Sequence, residues 1–191
     1  MRKVGNIRKQ KISVGSNLLV SVLLIIAFII IYFLQANVFS EFTIAGVKPN
    51  LFVIFILVIG LFGNNFLSII FSVICGVWLD SIYGEVIGIT PAMFCLIGFI
   101  ATWFDSLWSK DEKISIVIMV VIATFIFEFG SYFLKSIIIG FDIEIIPFLK
   151  ILALEELYNM LLTIIFFGLI KKLGYSMERK LKRSNMYTVE L

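Results

Sequence analysis

The residues of this chain with the most distinctive chemistry are carboxylic acids inside apolar segments. Asp80 lies between Gly76 and Gly84, and Gly88 continues the same four-residue spacing. Residues four apart share one face of a helix. Small residues on that face let another backbone approach closely, while a carboxylate in lipid must find a partner or water. The stripe therefore predicts a recognition surface. The alternative is packing within the chain, with Asp80 capping the next turn.

A second group of polar residues lies further along the chain, again inside apolar segments. Glu128 is the single acid of its segment, whereas Glu155 and Glu156 are adjacent and Asn159 follows within one helical turn. Since residues three and four apart are neighbours on a helix, Asn159 shares a face with one or both acids. These four residues predict a polar intramembrane cluster. The alternative is that the acids only extend to the membrane interface.

Enzymatic chemistry is not favoured by this composition. The chain has no histidine, which removes the commonest general base and metal ligand, and it contains no zinc-protease, serine-hydrolase or phosphate-binding motif. Glu155 and Glu156 point about 100° apart on a helix, which is a poor geometry for an acid–base pair. Cys75 and Cys95 lie in apolar segments, where small packing residues are expected. The sequence predicts a non-enzymatic protein with no metal and no cofactor.

The overall composition predicts an integral membrane protein. Of the 191 residues, 61% are hydrophobic, compared with about 45–50% in soluble domains, and the mean hydropathy is +1.08. Because about 20 apolar residues cross a bilayer, the chain is long enough for roughly six helices. We predict one all-α domain, 1–191, with basic tails 1–16 and 171–191 and helices at 17–39, 49–63, 66–82, 87–104, 114–134 and 148–170. The segment 49–63 would extend only ~22 Å, so it must thin the bilayer or lie behind its neighbours.

The positions of lysine and arginine predict the orientation. Of the 16 Lys and Arg residues, all except Lys48, Lys135 and Lys150 fall on one side when the chain crosses six times. Basic residues concentrate in cytoplasmic loops, so both termini are predicted to be cytoplasmic in a multi-pass protein of the bacterial cytoplasmic membrane. The basic C-terminal tail suits contact with anionic lipids at that face. We expect no nucleic acid among the partners.

Two short motifs resemble a known family. The segment 46–51 reads Gly-Val-Lys-Pro-Asn-Leu, and the segment 76–88 carries Gly-x3-Asp-x3-Gly-x3-Gly. With the six-helix layout, the size and the basic termini, they resemble the rod shape-determining MreD family over about residues 17–170. That family carries an acid where this chain has Asn50, and its first cytoplasmic loop often holds basic residues that the turn 63–65 lacks. The family is similar to the six-helix substrate-binding subunits of energy-coupling-factor transporters, which implies that fold.

The resemblance implies a non-catalytic scaffold or adaptor of the bacterial rod complex, which supports cell shape and peptidoglycan synthesis. Its direct partner would be a single-span MreC-like protein, with indirect links to MreB, RodA and a class B penicillin-binding protein. The apolar outer segment 136–147 would contribute to the contact, and the partner-binding candidates are Pro49, Asn50, Gly76, Asp80, Gly84 and Gly88. The alternative on the same fold is the substrate-binding subunit of an energy-coupling-factor vitamin transporter, with an outward pocket near Glu128, Glu155 and Asn159.

Overall fold

Six helices make up most of the part of the chain that the structure describes. The computed structural model describes residues 2–63, 65–84, 86–107 and 109–189, without the side chains of residues 2–17, 65, 105–107 and 183–189. The predicted tails therefore lie partly outside the described residues. The helices are α1 (Arg2–Phe33), α2 (Leu51–Phe62), α3 (Asn65–Tyr83), α4 (Ile89–Leu107), α5 (Lys113–Ile139) and α6 (Ile145–Val189). A π-helical turn, Leu34–Val38, and a short helical turn, Phe39–Glu41, continue α1. The described part has no β-strand, so the prediction of an all-α protein is confirmed.

Within the described ranges, four helices are long and apolar enough to cross a membrane. The segments that meet both criteria are Leu18–Glu41, Phe66–Tyr83, Lys113–Ile139 and Ile145–Lys182. Two further helices, Leu51–Phe62 and Ile89–Phe104, are apolar but shorter. The prediction of several apolar helices of membrane-spanning length is confirmed. Six crossings, the orientation of the termini and the likeness to transporter subunits stay predictions.

The shortest helix lies at the centre of the bundle. At ~1.5 Å per residue, the 12 residues of α2 extend roughly 18 Å, well short of a bilayer core of ~30 Å. All of α2 except Leu51 and Val58 is buried, and α2 contacts each of the other five helices. A helix that is apolar all round belongs in such an interior position. Its neighbours, rather than lipid, therefore cover most of its surface.

Small residues let α4 pack closely against α2 and α3. A Cβ built on Gly60 of α2 would lie 2.3 Å from the Ala101 Cβ of α4, and one on Gly98 would lie 2.7 Å from the Ser68 hydroxyl. A Cβ on Gly76 of α3 would lie 2.3 Å from the Pro91 Cα. Helices that pack without a hydrophobic driving force rely on such close backbone approach.

The loop between α4 and α5 is held on α6 by charged and aromatic groups. Lys171 forms an ion pair with the Asp111 carboxylate at 3.1 Å, and the Tyr175 hydroxyl donates to the same carboxylate at 2.9 Å. These hydrogen bonds, first from Lys171 and then from Tyr175, hold the pKa of Asp111 below its usual range. Lys110 lies 3.4 Å from Glu178 and donates to the Leu61 carbonyl at the end of α2. Residues 171–189 of the predicted tail are thus helical, and the first turns of this part contact the loop.

The segment 136–147 connects α5 to α6 at the end of the bundle opposite the α4–α5 loop, and it is short and apolar. Gly140 ends α5 with a φ of 79°, in the left-handed region that glycine adopts most readily, and α6 begins at Ile145. Ile137 is 77% exposed and Ile146 is 82% exposed. Exposed apolar side chains in this number mark a surface that meets lipid or another protein.

Candidate functional site

Asp80 organises the connection between α3 and α4. The side chain is 4% exposed, and its Oδ2 accepts hydrogen bonds from the N–H groups of Gly88 (2.7 Å) and Thr90 (3.3 Å). Both donors lie at the start of α4, whose first N–H groups have no partner within the helix. The φ of Gly88 is +112°, which residues with a Cβ rarely adopt. Asp80 and Gly88 together therefore turn the chain from α3 into α4.

The glycine stripe is divided between the interior and the surface. Gly76 is buried against Pro91, in the first turn of α4, whereas Gly84 and Gly88 are exposed in the connection. The face that carries Gly76 and Asp80 is therefore in contact with α4 of the same chain. Gly84 and Gly88 are the members of the stripe that another molecule can reach.

Pro49 and Asn50 lie at the start of α2, where Gln35 holds the backbone. The Gln35 amide donates to the Pro49 carbonyl (2.6 Å) and accepts from the Leu51 N–H (3.1 Å). Asn50 is the N-cap of α2, and its side-chain oxygen accepts from the Val53 N–H at 3.4 Å. Pro49 precedes the helix, whereas the sequence prediction began the helix there. Gln35, on the π-helical turn after α1, thus fixes the position of both motif residues.

The polar cluster assembles around Asn50. The Asn50 N–H donates to the Asn159 side-chain oxygen (2.8 Å), and the Asn159 amide donates to the Thr124 hydroxyl (3.0 Å). The carboxyl groups of Glu128 and Glu155 interact with each other and with the Asn50 side chain. Asn159 is fully buried, and its two hydrogen bonds link α6 to α2 and to α5.

The two adjacent glutamates of α6 differ in their surroundings. Glu155 is 7% exposed and shares the buried face of α6 with Asn159, four residues on, whereas Glu156 is only half-buried. Oε1 of Glu155 is buried and has no hydrogen-bond partner among the described residues. The structure brings Glu128, Glu155 and Asn159 together, and it leaves Glu156 at the edge of this group.

A cavity of about 320 Å³ connects the two groups of candidate residues. It lies where the start of α2 meets the α3–α4 connection, at the end of the bundle that the charge distribution predicts to be outer. Its polar wall includes Gln35, Asn50, Asp80, Lys135 and Glu155, and Pro49 and Gly84 also line it. Residues from both the glycine–acid stripe and the intramembrane cluster therefore share one site.

Sequence reasoning missed three residues of this site. Gln35 lies inside the first apolar segment, Thr124 inside the fifth and Thr90 at the start of α4. A polar side chain within a predicted membrane helix is itself a signal, because it must find a partner there. That signal was available for Gln35 and Thr124. The contact of Thr90 with Asp80 depends on the turn geometry and has no such signal.

The described residues contain no group of three His, Cys, Asp or Glu side chains that could hold a metal ion. Cys75 is buried and Cys95 half-buried, and both are free thiols.

The comparison with family models decides the assignment. The model of the family described as "rod shape-determining protein MreD" matches residues 16–174. The chain belongs to the MreD family. The matched range contains α2 to α5, most of the described side chains of α1 and α6, and every residue of the candidate site. The chain matches none of the curated proteins and none of the solved structures with which it was compared.

Membership of the MreD family indicates the general role of this chain. MreD proteins are bacterial membrane proteins of the rod shape-determining system, a structural family that is not known as enzymatic. The chain therefore has a role in that system.

Proposed function

We propose that the chain is a non-catalytic membrane scaffold of the bacterial cell-wall elongation complex, which binds an MreC-like single-span protein and supports peptidoglycan synthesis and cell shape. The observation that carries the proposal is the match to the MreD family over residues 16–174. The site supports it, because its polar groups join helices to one another and cap helix ends. MreB, RodA and a class B penicillin-binding protein would be linked indirectly, through the MreC-like partner.

The partner contact would lie on the exposed residues of the predicted outer end. Ile87, in the α3–α4 connection, is 75% exposed, and Ile146, at the start of α6, is 82% exposed. Burial of an exposed side chain of this size by a partner contributes roughly 1.5–3 kcal/mol through the hydrophobic effect. Gly84 and Gly88 would let the partner approach the connection closely. Asp80 and Gly76 would act by holding that connection in its conformation.

Pro49 and Asn50 would act in the same indirect way. Gln35 holds the Pro49 carbonyl, and Asn50 is tied to Asn159 of α6 at 2.8 Å. The start of α2 is therefore fixed relative to α1 and α6. A rigid outer surface lowers the entropic cost of binding, because fewer groups must be ordered in the complex.

Co-purification tests the partner contact directly. The chain and an MreC-like protein from the same organism are expressed together and extracted in mild detergent, and the recovery of one through a tag on the other is measured. Ile87→Ser should weaken the pair about tenfold, which corresponds to about 1.4 kcal/mol. Ile114→Ser is the matched control, because Ile114 is 73% exposed at the opposite end of the bundle. Equal recovery of both variants would place the contact elsewhere, and no recovery of the unmodified pair would reject the scaffold proposal.

The variant Asp80→Leu tests whether Asp80 holds the α3–α4 connection in place, whereas Ile87→Ser tests direct contact with the partner. Loss of the carboxylate removes the acceptor for two N–H groups of the connection, so partner recovery and the thermal midpoint should both fall. Ile87→Ser should reduce recovery while leaving the midpoint unchanged. If Asp80→Leu lowered the midpoint but left recovery and rod shape intact, the connection would not be part of the interface.

We also propose an orientation in the membrane and a contact with anionic lipids. With six crossings, the loop that contains Lys110 and the basic end of α6 would face the cytoplasm, beside anionic headgroups. Labelling of single cysteines with a membrane-impermeant maleimide tests this in intact cells. A cysteine at Ser40 should react and one at Ser109 should not, since both side chains are exposed at opposite ends. The reverse pattern would invert the orientation.

One observation favours the alternative function. A substrate-binding subunit of an energy-coupling-factor vitamin transporter needs an outward cavity, and the chain has one of about 320 Å³ at the predicted outer end. Mass spectrometry of the purified protein distinguishes the two functions. A vitamin that co-purifies in stoichiometric amount would support the transporter, and its absence from a protein that still retrieves the MreC-like partner would leave the scaffold.

A further inference from the structure

One buried carboxyl oxygen in the wall of the cavity has no hydrogen-bond partner among the described residues. Glu155 is 7% exposed, it lines the cavity, and its Oε1 has no hydrogen-bond partner within the described part of the chain. A buried polar atom left without a partner destabilises the folded chain, and it does so more strongly when it is charged. Such an atom is an acceptor that is ready for a hydrogen-bond donor.

A second acid lies close to Glu155. Glu128 lies beside it, and Asn50 interacts with both carboxyl groups. Lys135 interacts with Glu128 and also lines the cavity. An ionised carboxylate is costly to bury without a charged partner, so a cation placed against Glu155 would stabilise its ionised form. Lys48 also lines the cavity, but it is exposed and therefore largely screened by solvent.

The rest of the wall is apolar. Phe52, Leu79, Phe94 and Phe127 line the cavity from α2, α3, α4 and α5. Aromatic rings next to a cation add attraction through their faces. The volume of about 320 Å³ falls within the range of about 300–1,000 Å³ that small-ligand sites occupy.

We propose that this cavity binds a primary ammonium or guanidinium group attached to a small apolar or aromatic body, with the charged group against Glu155 and the body among the four apolar side chains. The cation could come from a free amine or from a lysine or arginine side chain of a protein partner. Both sources share the same chemistry. The proposal does not rest on the scaffold function, since the cavity is built by this chain alone.

A matched series of ligands tests the charge requirement. The full chain is purified in detergent micelles at neutral pH, and binding of 2-phenylethylamine is measured by ligand-observed nuclear magnetic resonance and by the shift in thermal midpoint. Its neutral counterpart 2-phenylethanol and its anionic counterpart 3-phenylpropanoate control for partition into the micelle. A second arm uses the capped dipeptide acetyl-Phe-Lys-amide. We expect saturable binding of the amine, of the dipeptide or of both, and none of the neutral and anionic compounds.

Two variants locate the site. Glu155→Gln keeps the size of the side chain and removes its charge, so it should weaken binding at least tenfold. Glu41→Gln is the control, because Glu41 is an exposed acid at the same end of the bundle, and it should leave binding unchanged. Binding of the dipeptide alone would identify the source as a protein side chain. Equal binding of amine and alcohol, no saturable binding of either cation, or full affinity in a folded Glu155→Gln variant would overturn the proposal. If Glu155→Gln does not fold, the ligand series on the unmodified chain still decides it.

Discussion

Gly76→Ala should separate α3 from α4, because the glycine lies directly against the Pro91 backbone. The added Cβ would be 2.3 Å from the Pro91 Cα and 2.5 Å from its nitrogen. Carbon atoms in contact normally lie ~3.5–4.0 Å apart, so the two helices would have to move by roughly 1 Å. The obstacle is backbone in the first turn of α4, and a rotamer change cannot remove it. The movement would also disturb the contact of Gly98 with Ser68 in the same interface.

The expected magnitude follows from two opposing effects. Overpacking of a close interface costs about 1–3 kcal/mol, and alanine in place of a helical glycine returns about 0.5–1 kcal/mol. Because the obstacle is backbone, the overpacking cost lies in the upper part of its range, at about 2–3 kcal/mol. The net loss is therefore about 1–2.5 kcal/mol. For a chain of this size, 1 kcal/mol changes the thermal midpoint by about 2–4 °C. Gly76→Ala should therefore lower the midpoint by about 2–10 °C.

Gly168→Ala is the matched control. A Cβ at Gly168, in the middle of α6, meets nothing within 4 Å, so only the helix-forming advantage of alanine remains. Its midpoint should rise by about 1–4 °C. Both variants are unfolded thermally in the same detergent, with near-ultraviolet circular dichroism as the readout. A Gly76→Ala midpoint equal to or above that of the unmodified chain, while Gly168→Ala behaves as expected, would refute the close approach of α3 and α4.

Three further predictions concern the polar contacts. Gln35→Leu should destabilise the chain by about 1–3 kcal/mol, since it leaves two backbone groups at the start of α2 without their partner, and an unchanged thermal midpoint would contradict it. Asn159→Leu should cost roughly 2–3 kcal/mol for the two groups it leaves unpaired, whereas the exposed control Asn37→Leu should have almost no effect on unfolding. The pKa of Asp111 lies below its ordinary value of 3.8, so its contact with Lys171 should persist above that pH and be lost as the pH falls through the lowered pKa. Hydrogen exchange of the α4–α5 loop should then increase only in acid, and Asp111→Asn should abolish that dependence.

The glycine–acid stripe shows what helical spacing can predict and what it cannot. The four-residue interval indicated that Gly76 and Asp80 share a face, and in the structure both are buried against α4. Spacing could not say whether that face meets the same chain or another one. That depends on the α3–α4 connection, whose path is set by the positive φ of Gly88 and by the two N–H groups that Asp80 accepts.

The polar cluster depended on contacts far apart in sequence. The helical interval left open whether Glu155 or Glu156 shares the face of Asn159, because both spacings place neighbours on a helix. The rotation of α6 in the bundle decides it, since Glu155 and Asn159 face the interior together. In that rotation the Asn159 side chain accepts a hydrogen bond from the Asn50 backbone, which is 109 residues away along the chain. No local pattern carries that information.

Asp80 connects the two proposals made for the outer end. Its carboxylate caps the start of α4, next to the connection that carries the exposed Ile87. The same side chain lines the cavity that Glu155 also lines. A partner that shifts the α3–α4 connection would therefore move one wall of the cavity, and a ligand in the cavity would restrain the connection. Coupling of this kind is reciprocal, because each ligand must change the affinity of the other by the same factor. The hydrogen bonds that join Gln35, Asn50 and Asn159 limit how far the opposite wall can move. The coupling would therefore be carried mainly by the short connection between α3 and α4.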